Sequence, residues 1–80
     1  MATDLDERIS VGAVFADGTL KPVWFSRRGR QVRIREIALT WKTRQGSAPL
    51  LHFSVTDGAG LYELQYNTHT LGWRLLNAEC

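Results

Sequence analysis

The chain has 80 residues, and ten Lys and Arg against eight Asp and Glu give it a formal net charge of +2. Its hydrophobic fraction of 44% and charged fraction of 22% are typical of one small globular domain and argue against an intrinsically disordered chain. No apolar run approaches the roughly 20 residues of a membrane-spanning helix, so we expect neither a transmembrane segment nor a membrane partner.

The N-terminal part of the chain divides into a short tail and a first hairpin. Residues 1–7 show no alternation of polar and apolar side chains, so we predict a disordered tail there and a single β domain over residues 8–80. From Ile9 onward every second residue is apolar, which predicts a β-strand with one buried face. Asp17-Gly18 can then supply the two positive-φ positions of a type I′ turn.

The second predicted strand follows this turn and carries a tryptophan on its polar face. Val23 and Phe25 share one face, whereas Trp24 lies on the other face and is the best candidate for an exposed ring. Pro22 has no backbone N–H, which favours an edge strand or a bulge. Gly29 is expected to adopt a left-handed conformation in the turn that follows.

Residues 30–44 form the longest segment, and two structures fit their pattern. The alternation of apolar residues shifts by one position between Ile34 and Ile37, and a β-bulge near Glu36 would restore it. We therefore predict a bent strand. A helix is the alternative, because Ile34, Ile37 and Trp41 follow one another at helical spacing.

Three further strands are expected near residues 51–55, 62–66 and 72–76, where apolar and polar residues alternate between turns. Six short strands joined by hairpins predict an all-β antiparallel meander, curved or closed as a small SH3-like or OB-like barrel. The predicted core consists of the apolar residues on the inner faces of these strands: Ile9, Val11, Phe15, Val23, Phe25, Val32, Ile34, Ile37, Leu39, Trp41, Leu51, Phe53, Val55, Leu64, Tyr66 and Leu75.

Few residues could support catalysis or hold a metal. Cys80 is the only cysteine, so no intrachain disulfide can form, and we expect a protein of the reducing cytoplasm. His52 and His69 do not have the close spacing of structural zinc ligands, and no Gly-x-Ser-x-Gly motif is present. His52 is flanked by Leu51 and Phe53 and is expected to be a partly exposed packing residue. We therefore predict no catalytic residue, no metal and no cofactor, and we expect that the chain is not an enzyme.

Basic residues are concentrated in residues 21–44, which contain eight Lys and Arg and one Glu. In the rest of the chain Asp and Glu outnumber Lys and Arg. Arginine binds phosphates and stacks on bases, and tryptophan stacks on bases too. Arg33 and Arg35 are expected about 7 Å apart on one face of a strand. This pattern predicts an interface for single-stranded nucleic acid. Its predicted residues are Arg27, Arg28, Arg30, Arg33, Arg35, Lys42, Arg44 and Trp24.

Two other interpretations fit the same charge pattern. Positive charge can simply protect a solvated edge strand from pairing with other chains. Alternatively, the chain is a protein–protein interaction or assembly module without nucleic acid, in which the basic sheet binds an acidic protein partner or an edge strand pairs with another chain.

A set of short motifs occurs in a fixed order over residues 9–76: Pro22-Val-Trp-Phe25, Arg28-Gly29-Arg30, a basic strand ending at Trp41, Leu51-His52-Phe53 and Tyr62-Glu63-Leu64. In these motifs the chain resembles a family of short bacterial β-domain proteins of unknown function. The resemblance implies a small β domain, and the family offers no catalytic residue to carry over to this sequence.

Overall fold

The computed structural model describes residues 2–79, which form seven β-strands. The all-β prediction is confirmed, with seven strands in place of the expected six. Cys80 lies outside the described residues. The strands are β1 (Ala2–Ala16), β2 (Thr19–Arg27), β3 (Arg30–Arg33), β4 (Glu36–Gln45), β5 (Ala48–Thr56), β6 (Leu61–Asn67) and β7 (Trp73–Glu79).

The strands form one antiparallel sheet in the order β3-β2-β1-β7-β6-β5-β4. Its two edge strands, β3 and β4, are consecutive in the chain, and only Ile34 and Arg35 separate them. The N–H of Ile34 donates to the carbonyl of Val23 in β2, whereas the N–H of Arg35 donates to the carbonyl of Thr56 in β5. The sheet therefore curls until its two edges meet at this single link.

The sheet is not closed, so the closed SH3-like or OB-like barrel, one of the two expected forms, does not occur. Closure needs a ladder between β3 and β4, and none is present in residues 2–79. β4 follows β3 directly after the Ile34–Arg35 link. β3 pairs with β2, whereas β4 pairs with β5. The same link divides the long third segment in two, which explains the seventh strand.

The bent strand predicted for residues 30–44 is confirmed, and the helical alternative is wrong. Strand pairing is interrupted at Ile34 and Arg35, and the β4–β5 register shifts again between Ile37 and Leu39. The interruption at Ile34 and Arg35 coincides with the shift in the apolar pattern between Ile34 and Ile37. The second irregularity is a bulge beyond Ile37, which turns Leu39 and Trp41 to the face opposite Ile37.

The N-terminal segment differs from the predicted tail. β1 begins at Ala2, and its first part pairs with β7 across a register shift between Asp4 and Glu7. Backbone pairing with a strand from the other end of the chain requires no alternation of side chains, so the sequence pattern gave no sign of it.

The two turns that precede and follow β2 have the expected geometry. Asp17 and Gly18 have φ angles of 53° and 74°, which agrees with a type I′ turn. Gly29 is left-handed as predicted, and Arg28 before it also has a positive φ of 51°.

The core lies on the concave, inner face of the sheet, and Phe25, Val55, Leu64 and Leu75 are completely buried there. Phe25 of β2 contacts Tyr62 of β6 edge to face across the curl, with ring centroids 5.1 Å apart. The inner face thus holds two distant parts of the sheet together.

Three residues of the predicted core are instead exposed: Phe15, Val23 and Leu39. Val23 is the extra residue of a bulge, because Gly12 pairs with Trp24 and the next residue of β1 pairs with Pro22. Phe15 lies near the tip of the first hairpin and is 74% exposed, and Leu39 lies on the edge strand β4.

Candidate nucleic-acid interface

Trp24 lies on the outer face of β2, where its indole ring covers Gly12 of β1. The two residues are directly paired, and a Cβ atom added to Gly12 would lie 2.0 Å from the Trp24 Nε1 atom. Only a residue without a side chain leaves room for the ring at this position. Gly12 therefore determines where the tryptophan sits.

Arg33 of β3 is the cross-strand partner of Trp24 on its other side. Directly opposed residues of an antiparallel pair point to the same face, so the guanidinium and the indole share the outer surface. Together with Val23 and Gln31 they line a shallow groove. A half-buried ring beside a cation can stack on a base while the cation contacts a phosphate.

A second cleft, of about 530 Å³, opens on the inner side of the β2–β3 hairpin. Arg33 belongs to both depressions, because β3 is an edge strand and its end is reached from either face. The arginines therefore form a continuous basic rim around this edge. The lining residues of the second cleft include four arginines, an acid and a tyrosine: Arg27, Arg28, Arg30, Arg33, Asp57 and Tyr62.

Glu7 of β1 partly neutralises this rim. Its carboxylate lies 3.2 Å from Nε of Arg27 and 3.8 Å from Nε of Arg28. The Arg27 side chain is only 22% exposed, whereas that of Arg28 is 72% exposed. Arg28, Arg30 and Arg33 are therefore the cations that remain accessible to an anionic ligand.

Asp57 supplies the negative charge of the second cleft. Its carboxylate accepts hydrogen bonds from the backbone N–H groups of Ala59 and Gly60, both at 2.9 Å, and from the hydroxyl of Tyr62. The bonds from Ala59 and Gly60 lower the pKa of Asp57, because they stabilise the ionised carboxylate. The acid thus stays charged at neutral pH and marks the end of the basic rim.

The structure does not bring the remaining predicted residues to this rim. Arg35 lies across the β5–β6 turn, where its Nη1 atom would be 2.9 Å from a Cβ on Gly58. Lys42 and Arg44 lie on β4, about 23 and 30 Å of extended chain beyond Arg35. The continuous strand face expected for Arg33 and Arg35 is absent, because the chain leaves β3 between them.

Sequence reasoning missed a polar cluster on the outer face of β4, β5 and β6. His52 is only 5% exposed, so the expectation of a partly exposed residue is wrong. Its ring stacks on Trp41, with the centroids 5.1 Å apart and the planes at 10°. Its Nε2 atom lies 2.6 Å from Thr43 Oγ1, and its Nδ1 atom lies 3.5 Å from Glu63 Oε2. The pairing of a histidine with residues on two other strands is not visible in the sequence.

A cleft of about 690 Å³ also lies on the outer face, beside this cluster. Arg8 and Arg74 are direct cross-strand partners in its wall, and Arg74 forms a 2.7 Å ion pair with Asp6. Gln65, the cross-strand neighbour of His52, also lines the cleft.

Within residues 2–79, no three His, Cys, Asp or Glu side chains are grouped closely enough to hold a metal ion. The same part of the chain contains no helix that could span a membrane. No protein-family model, curated protein or solved structure matches this chain.

Proposed function

We propose that this chain binds single-stranded nucleic acid along the Trp24–Arg33 surface, formed by Trp24, Arg33, Arg30 and Arg28. The observation that carries the proposal is the direct pairing of Trp24 with Arg33 on the outer face. It places a stacking ring next to a cation whose neighbours continue the positive charge around the edge of the sheet.

The spacing along β3 suits contacts with separate phosphates. The Cα atoms of Arg30 and Arg33, three residues apart on a strand, lie about 10 Å from each other, and their side chains leave opposite faces of the edge strand. A nucleic-acid strand that crosses this edge would meet both. Arg28 precedes them in the turn, where its side chain is 72% exposed. We infer that one base of the nucleic acid stacks on Trp24 while its phosphate backbone runs along the arginines.

The salt dependence of binding tests the role of the arginines. Neutralising three phosphates of a single strand gives a slope of about −2 in a plot of log affinity against log salt, or about a 20-fold loss between roughly 50 and 200 mM. The double change Arg30→Ser and Arg33→Ser is expected to reduce the slope to about −0.7. Fluorescence anisotropy with short labelled DNA and RNA oligonucleotides measures both values.

A matched control removes the same charge elsewhere. Lys42→Ser with Arg44→Ser also removes two positive charges, but from β4, so the slope is expected to stay close to that of the unchanged chain. Equal effects of the two double variants would show that binding follows net charge and not this surface. Absence of binding to DNA and RNA at low salt would refute the proposal.

The stacking contribution is tested separately. Trp24→Ala is expected to weaken binding by about 1–3 kcal/mol, while Trp24→Phe keeps most of the affinity because it retains an aromatic face. If Trp24→Ala leaves affinity unchanged in both nucleic acids, no base stacks on this ring.

Protein–protein interaction is the second candidate function, and the exposed apolar tip of the first hairpin favours it. Phe15 is 74% exposed and Val14 is 48% exposed on adjacent positions of β1. Size-exclusion chromatography at several concentrations tests self-association at this tip. A concentration-dependent oligomer that Phe15→Ser abolishes would support this function, whereas a monomer throughout would oppose self-assembly.

A further inference from the structure

Three polar side chains from neighbouring strands form a linear array on the outer face. Thr43 of β4 contacts His52 of β5 through a 2.6 Å Oγ1···Nε2 contact. Glu63 of β6 places its Oε2 atom 3.5 Å from the other ring nitrogen, Nδ1. Hydroxyl, imidazole and carboxylate thus follow one another across three adjacent strands.

The surroundings of His52 suit one tautomer of its ring. The ring is 95% buried beneath Trp41, and among the described residues Nδ1 has no hydrogen-bond partner. If the hydroxyl of Thr43 donates to Nε2, the proton of the neutral ring is on Nδ1, and it faces the Glu63 carboxylate. A shift of about half an ångström by Glu63 would complete that hydrogen bond.

We propose that Thr43 is an activated nucleophile that accepts an acyl group from an activated ester or thioester. His52 acts as the general base, and Glu63 is a positioning residue that holds the imidazole in the required tautomer. The arrangement is that of a nucleophile hydrogen-bonded to a base that is in turn oriented by a third group. Thr43 is an exposed residue of an edge strand, and its contact with His52 is partly buried, so an acyl donor must approach the hydroxyl from the solvent side.

The chemical step balances with these groups alone. Thr43 Oγ1 attacks the carbonyl carbon of the donor while its proton passes to His52 Nε2. The tetrahedral intermediate then breaks its bond to the leaving alcohol or thiol, which takes the proton from Nε2. The products are an ester of Thr43, a free alcohol or thiol, and a neutral histidine. Glu63 stabilises the imidazolium between the two transfers.

Among the described residues, the backbone of the edge strand β4 has an unpaired donor one residue after Thr43. A two-residue turn joins β4 to β5, so Gln45 and Ala48 form a hydrogen-bonded pair and the next pair, Arg44 and Pro49, does not. The carbonyl of Pro49 accepts from Thr68 instead, which agrees with this alternation. The N–H of Arg44 therefore points to the open edge of β4, away from His52.

The acyl donor has room beside this array. The 690 Å³ cleft of the outer face begins at Gln65, directly opposite His52, and at Gln45, two residues after Thr43 on the same face. This site lies on β4–β6 and does not rest on the proposed nucleic-acid surface of β2 and β3. The two can be tested and can fail independently.

The test measures acetylation by p-nitrophenyl acetate, with the site located by peptide fragmentation. The parent is the full chain carrying Cys80→Ser, because a thioester at Cys80 would be labile in the same way as an ester. Treatment with hydroxylamine removes esters and leaves amides on lysines and the N-terminus. We expect a hydroxylamine-sensitive acetyl group on Thr43 that forms about 100-fold faster than any on Thr40.

Thr43→Val is the decisive variant, and Thr40→Val is its matched control on the same strand. Both threonines are exposed, and valine has the same shape and favours strands, so both variants are expected to fold. Thr43→Val should abolish the fast release of p-nitrophenol, whereas Thr40→Val should leave it unchanged. Equal rates in the two variants, or no ester on Thr43 in the parent, would overturn the proposal.

The two supporting residues have separate readouts. His52→Gln is expected to slow acetylation of Thr43 by about 100-fold. Glu63→Gln should slow it by at least several-fold without changing the melting temperature, and Glu63→Asp should restore part of the rate. If Glu63→Gln slows acetylation only in proportion to a loss of folded protein, Glu63 has a structural role and its assignment is wrong.

Discussion

Replacing Gly12 by alanine is expected to displace the indole of Trp24. The new Cβ would lie 2.0 Å from Nε1 and 2.2 Å from Cε2, whereas non-bonded carbon atoms approach to about 3.5 Å. The ring must therefore move by about 1.5 Å or leave its position, and such overpacking costs about 1–3 kcal/mol. We expect Gly12→Ala to lower the free energy of unfolding by this amount.

A double-mutant cycle isolates the contact. In a Trp24→Ala background the ring is absent, and Gly12→Ala should be neutral or stabilise by about 0.5–1 kcal/mol, because alanine loses less entropy than glycine in a strand. The coupling free energy between the two sites should then be about 1–4 kcal/mol. Urea denaturation followed by circular dichroism measures all four chains. Equal costs of Gly12→Ala in both backgrounds would show that the ring does not lie on Gly12.

Three further predictions concern the core, the β5–β6 turn and its acid. Phe25→Ala should lower the free energy of unfolding by about 3–5 kcal/mol, whereas Phe15→Ala should lower it by less than about 1 kcal/mol. Urea denaturation measures both, and similar costs would contradict the placement of Phe25 in the core and of Phe15 outside it. Gly58→Ala should destabilise the fold by about 1 kcal/mol or more, because Gly58 has a φ of 98° and the new Cβ would lie 2.9 Å from Arg35 Nη1. An unchanged melting temperature would show that alanine is not strained at this position. The pKa of Asp57 is lowered in the folded state, so its carboxylate stabilises the fold above its ordinary value of 3.8, and this contribution is lost as pH falls through the lowered pKa. Asp57→Asn should therefore flatten the loss of stability between about pH 5 and pH 2, measured by urea midpoints, and an unchanged acid slope would contradict it.

The hairpins could be predicted from the sequence because their signals are local. Asp17 and Gly18 adopt the positive φ angles that their residue types favour, and the shifted alternation between Ile34 and Ile37 corresponds to the break in strand pairing at Ile34 and Arg35. The pairing of the N-terminal residues with β7 could not be predicted in this way. The partners lie at opposite ends of the chain, and no local pattern records their contact.

The candidate surfaces were only partly accessible from the sequence. The count of basic residues singled out residues 21–44, but the link at Ile34 and Arg35 decides which of them share a surface. Arg33 stays beside Trp24, while Lys42 and Arg44 are carried to the opposite edge. The Thr43–His52 contact depends on the register of β4 against β5, which the sequence pattern alone does not define.

The topology also bears on the order of folding. Within residues 2–79, five of the six ladders connect strands that follow one another along the chain, and only β1–β7 brings distant segments together. Hairpins form within microseconds, whereas a contact between distant segments must first overcome the entropy of closing a long loop. We expect β1–β3 and β4–β7 to form as two meanders, with the docking of β1 on β7 as the slow step. Substitutions in the β1–β7 ladder should then slow folding more than equally destabilising ones in the β4–β5 hairpin.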